Sequence, residues 1–170
     1  MTLISRRTAL ALAATFALLS PLAIAHAADT LSDTRFVGYA QALNDFEIGS
    51  ARLALAKSSN ENVRGFAAAA LAHHTDAAER LSRSRTEAGV IYAPDPARLD
   101  NNMAVLQRLG TLEGPEFDTA YANAQLAVLT DAKAQYGANS QSGGLKMYAQ
   151  AELPKLEARV SVAQRLAGGL

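Results

Sequence analysis

The sequence predicts an all-α protein: an antiparallel four-helix bundle with a short connecting helix between the second and third long helices. Three observations lead there. Of the 170 residues, 37 are alanine, 6% are aromatic and none is tryptophan. Alanine loses no side-chain entropy on ordering and is the strongest helix former. Four long segments repeat apolar residues at spacings of three and four, which places each set on one helical stripe. No segment shows the strict alternation of a half-buried strand. Short polar breaks separate the segments, and about 140 residues are left for the bundle.

The first helix is expected to begin near Ser32 or Asp33, either of which can cap it. Phe36, Ala40, Leu43, Glu47, Ser50 and Ala54 form its stripe. "SSN" at 58–60 ends it, and Asn60 is a candidate N-cap for the second helix. That helix carries Val63, Ala67, Ala70, His74, Ala77 and Leu81, with Gly89 suited to its C-terminal stop. "PDP" at 94–96 is expected to be a linker with no room for helix. Leu99, Met103, Leu106 and Leu109 then mark the connecting helix.

"EGPEF" opens the third long helix, with Pro115 at the first helical position and Glu116 beside the positive end of the helix dipole. Phe117, Tyr121, Gln125, Val128, Leu129 and Ala132 follow, up to Gly137. "GANSQSGG" is the next turn or loop. Leu145, Ala149, Glu152, Leu156, Val160 and Ala163 form the last stripe, which contains Pro154. Proline there removes one backbone bond and predicts a kink.

The first 27 residues have the parts of a cleavable secretory signal. Arg6 and Arg7 are the charged start, Thr8–Leu22 is the apolar run, and "AHA" at 25–27 is a small-x-small cleavage pattern. The mature domain would then be residues 28–170, located in the periplasm. "SRRTALA" partly matches a twin-arginine signal, with Ala9 where that motif usually carries Phe, so either export route fits. The apolar run is short for a membrane span.

Charge and composition exclude several functions. The chain has 16 basic and 16 acidic residues, and losing Arg6 and Arg7 leaves an acidic excess. No basic surplus is available for nucleic acid. The chain has no cysteine, which rules out disulfides, thiolate metal sites and cysteine nucleophiles. It shows no phosphate-binding glycine loop, no zincin motif and no nucleophile elbow. No catalytic residue is assigned.

The polar residues on the stripes carry the functional question. Glu47, His74 and Glu152 occupy stripe positions, and Arg159 lies near the edge of the last stripe. An ionisable group on an apolar seam must be paired, bound to a metal or neutralised. One reading is a buried polar cluster of Glu47, His74, Glu152 and Arg159, with a glutamate paired to Arg159. The other is a transition-metal site, iron or similar, held by Glu47, His74 and Glu152. A di-metal site built on Glu-x-x-His pairs has no counterpart here. His73, rotated about 100° from His74, is expected at the flank or exposed edge. Sequence leaves open whether Glu47 and His74 lie at one depth.

The stretches "NDFEIGSARLALAKSSNENVRGFA" (44–67), "AHHTDAAERL" (72–81), "FDTAYANAQLAV" (117–128) and "LPKLEARVSVAQRL" (153–166) resemble the exported bacterial family called "domain of unknown function 4142". The resemblance implies a ferritin-like fold. It also implies a histidine in each of three places. His74 matches the first, while Leu129 and Arg159 stand at the other two; Glu47 matches a glutamate common in the family. The resulting expectation is an exported envelope protein, non-enzymatic and without a cofactor. The alternative is a ferritin-like metal-binding protein or oxidase with a degenerate core site. Peripheral association with the outer membrane and self-association are both open.

Overall fold

A computed structural model describes residues 21–138 and 141–170, with side chains from Ser32 onward. Five helices follow in order: α1 (Pro21–Lys57), α2 (Glu61–Glu87), α3 (Pro96–Thr111), α4 (Gly114–Gly137) and α5 (Gly143–Gly168). There is no strand among the described residues. The charged start and most of the apolar run of the expected export signal lie outside the described residues, as do positions 139 and 140 of the last loop.

Specific contacts fix the direction of each helix. Glu47 of α1 meets His74 of α2, Ser50 of α1 meets Gln125 of α4, and Tyr39 of α1 meets Asp131 of α4. Tyr148 of α5 donates to the Ala77 carbonyl of α2, while Arg159, further along α5, lies over Phe66, earlier in α2. α1 and α5 therefore run one way, and α2 and α4 the other. Adjacent helices in the square are antiparallel, and α3 supplies the long crossover from α2 to α4.

The helix ends follow local chemistry. The Asn60 side chain accepts from the N–H groups of Asn62 and Val63 and caps α2. α2 stops in a paired-bond C-cap: Val90 N–H donates to Arg85 O and Gly89 N–H to Thr86 O, with Gly89 at φ +66°.

Two expected boundaries move. α3 begins at Pro96, inside the expected linker, because Asp95 accepts from Arg98 N–H and proline suits the first helical position. α1 starts upstream of Ser32. Asp33, expected to cap its own helix, accepts instead from the backbone N–H and hydroxyl of Ser142, at the start of α5. A residue within a helix leaves its side chain available to a neighbour's first turn, where four N–H groups lack helical partners.

The predicted stripes supply much of the core, to which Val37, Phe46, Phe66, Tyr136 and Tyr148 are added, while Val128 is only partly buried. Phe36, Ala40, Leu43 and Ala54 of α1 are buried, as are Val63, Ala67, Ala70, Ala77 and Leu81 of α2. Phe117, Tyr121, Leu129 and Ala132 of α4 pack with Leu145, Ala149, Leu156, Val160 and Ala163 of α5. Alanine lets these backbones approach closely. The aromatics form two groups: Phe36 and Tyr136 meet edge to face at 5.0 Å beside Tyr39 and Tyr148, and Tyr121 packs with Phe66 and Phe117 in the other.

α3 departs from its expected stripe. Met103 is 56% exposed, whereas Asn102 is buried and donates to the Ala42 carbonyl at 3.0 Å. A polar side chain with a backbone partner in α1 sets the rotation of α3, and its neighbour Met103 turns outward. The segment before α3 presses on α1 at Gly38, where a Cβ would lie 2.4 Å from the Ala93 carbonyl oxygen. Gly38→Ala is therefore expected to cost about 2 kcal/mol through this clash. Urea unfolding should show a lower midpoint with an unchanged slope.

A candidate functional site: the ion-paired polar core

Each long helix places one polar residue at the same depth: Glu47 from α1, His74 from α2, Gln125 from α4 and Arg159 from α5. Glu47 is fully buried and His74 is 1% exposed. Arg159 Nη2 donates to Glu47 Oε2 at 3.3 Å, and His74 Nε2 stands 3.5 Å from the same oxygen. Glu47 and His74 therefore do share a depth. With its amide nitrogen towards Glu47, Gln125 donates to Oε2 at 2.9 Å and to Oε1 at 3.0 Å, and its amide oxygen accepts from Ser50 Oγ. Arg159 also covers the Phe66 ring at 4.9 Å.

Burial raises the Glu47 carboxyl from 4.5 to about 7, against the attraction of Arg159. His74 moves the other way. Burial first, and then the charge of Arg159, hold its pKa well below 6.5, so the ring is neutral. In the tautomer whose Nδ1–H donates to Asn44 Oδ1 at 2.9 Å, the lone pair of Nε2 faces Glu47. A proton on Glu47 satisfies that approach, which agrees with the raised carboxyl.

Glu152 belongs to a second, adjoining cluster. It lies seven residues before Arg159, about 10 Å along the helix axis. Arg80 Nη1 and Lys155 Nζ donate to its Oε1, and His73 Nε2 stands 3.1 Å from its Oε2. Burial would raise this carboxyl, but the bonds from His73, Arg80 and Lys155 outweigh it and bring the pKa to about 2. The rings of His73 and His74 meet edge to face at 4.7 Å, which joins the two clusters.

The four expected residues thus divide. Glu47, His74 and Arg159 come together, and Glu152 does not join them. His73 lies at the flank, as its rotation implied, but its side chain is only 18% exposed and faces Glu152. Sequence reasoning missed Gln125, Asn44 and Arg80 as partners. Gln125 stood in the third stripe as its one polar member. Asn44 lies three residues before Glu47 and Arg80 seven after His73, spacings that return to one face.

The residues present do not fit a resident metal. Glu47 is occupied by Arg159 and Gln125, and Glu152 by Arg80 and Lys155. A guanidinium cannot ligate a metal, and its charge opposes one. Among the described residues, no group of three or more His, Asp or Glu side chains is arranged to hold an ion.

The fold and this core define the class: an all-α bundle whose buried seam is ion-paired. The chain belongs to the family described as Domain of unknown function (DUF4142), which it matches over residues 19–166. Neither the curated proteins nor the solved structures compared with it contain a match. No helix among the described residues is long and apolar enough to cross a membrane.

Proposed function

We propose that this is an exported periplasmic protein with a non-enzymatic role in the cell envelope, whose polar core serves to hold four helices in register. One observation carries the reading: the Glu47 carboxylate, at the centre of the bundle, is occupied by Arg159. A buried pair of this kind adds little net stability, but breaking it is costly, so it favours the one register in which both partners meet. The export part rests on Arg6, Arg7, the apolar run and "AHA" at 25–27.

The test starts from the full-length coding sequence expressed in a Gram-negative host without an affinity tag. The protein is expected in the osmotic-shock fraction with Ala28 at its N-terminus. Mass spectrometry of the purified protein should find well under one equivalent of transition metal. A metal near one equivalent, lost on His74→Ala, would overturn the non-enzymatic reading and point to redox assays. Retention of residues 1–27 in the cytosol would overturn the export reading.

A further inference from the structure

Between the N-terminal half of α2 and the C-terminal half of α5 lies a cleft of about 590 Å³. That is within the range of small-molecule sites. Gly65 forms part of its α2 wall. Glycine inside a helix is destabilising relative to alanine, and nothing local requires it here. A Cβ at position 65 would meet no atom within 4 Å. Ala69, one turn on, continues the wall. These two small residues leave open space beside Phe66.

The charges around that space are uneven. Arg159 and Arg165 line it, and Glu61 is the one acidic side chain in its lining. Arg165 has no ion-pair partner among the described residues. Arg159 gives Nη2 to Glu47, while its Nε is buried without a partner. Val162, on the α5 side, is apolar and 40% exposed.

We propose that this cleft binds a small amphiphilic carboxylate. Its apolar body lies against Phe66, Val162 and Leu166, and its carboxylate engages Arg159 and Arg165. An apolar surface with two guanidiniums at its edge complements that chemistry, whereas a cationic amphiphile would meet repulsion. The proposal goes beyond the structural role and does not depend on export. Binding is coupled to the core, because the incoming carboxylate shares Arg159 with Glu47. Two anions on one guanidinium repel, and the buried one is relieved by taking up a proton.

The test is calorimetric titration of the protein, expressed from its full-length sequence, with sodium decanoate below its micelle threshold. Decyltrimethylammonium, with the same tail and opposite charge, is the control. Decanoate should bind saturably at about one per chain and at least roughly tenfold more tightly than the cation. Titrations in two buffers of different ionisation heat should show proton uptake.

Gly65→Leu fills the cleft from an uncrowded position and improves the helix. It should weaken decanoate roughly tenfold or more, with a thermal midpoint unchanged or raised. Arg165→Gln, exposed and remote from Glu47, should weaken decanoate but not the cation. Equal affinity for the two amphiphiles, unchanged decanoate affinity in Gly65→Leu, or no saturable binding would overturn the proposal.

Discussion

Replacing Arg159 with methionine should lower stability by about 3 kcal/mol at about pH 8, and by clearly less in mild acid. Methionine keeps the apolar stem over Phe66 and removes the cation that faces Glu47. The carboxylate is then buried with only Gln125 and His74 beside it. Breaking one partner out of a buried pair leaves an uncompensated charge, and that is where the large cost comes from. Glu47 can escape the cost by taking a proton, since its pKa is already raised to about 7 by burial. Below that pH the variant holds a neutral acid and the loss shrinks. Above it the wild type ionises while the variant, without the cation that lowers this carboxyl, keeps its proton to higher pH, so the loss grows with pH, to on the order of a 10 °C fall in melting temperature for a chain of this size. Adding Glu47→Gln to Arg159→Met removes both charges and should restore much of the lost stability. An equal loss at both pH values, or no rescue in the double variant, would show that Arg159 acts through packing alone.

Much of this core was legible in the sequence because burial in a helix is periodic. Spacings of three and four placed Glu47, Ser50, His74, Gln125 and Glu152 on stripes, and all five are buried. Periodicity gives the face of a helix but not its depth against a neighbour. Glu152 and Arg159 share one side of α5, two turns apart, yet they serve different clusters. Which of them meets Glu47 depends on how far α5 is slid along α1, and no local spacing encodes that offset. Asp33 illustrates the same limit. As a cap type it was recognisable, but the helix it caps is α5, distant in sequence and adjacent only in the fold. Met103 failed for another reason. Its hydrophobicity suggested burial, but the Asn102 bond to the Ala42 carbonyl fixes the rotation of α3 instead.

The pairing of Glu47 with His74 also predicts how stability responds to pH, and the two residues pull in opposite directions. Glu47 rises from 4.5 to about 7 on folding, so between those values the folded chain binds more protons than the unfolded one. Its contribution is greatest below 4.5 and falls as pH rises towards 7, by on the order of 3 kcal/mol if it acted alone. His74 falls well below its usual 6.5, so in mild acid the unfolded chain binds the extra proton. Its contribution is present above 6.5 and is lost as pH falls. In effect, folding in mild acid moves a proton from His74 to Glu47, and the two slopes offset each other. Wild-type stability should therefore be nearly flat from about pH 5 to 6.5. Glu47→Gln exposes the histidine alone and should make stability rise with pH across that window. His74→Gln exposes the glutamate alone and should make it fall. Glu152, held down to about 2, loses its contribution only as pH drops below 4.5 and does not disturb the comparison. Urea midpoints for the three proteins across this range are the check. Parallel curves would mean that the two side chains exchange no proton on folding and that their 3.5 Å approach is packing alone.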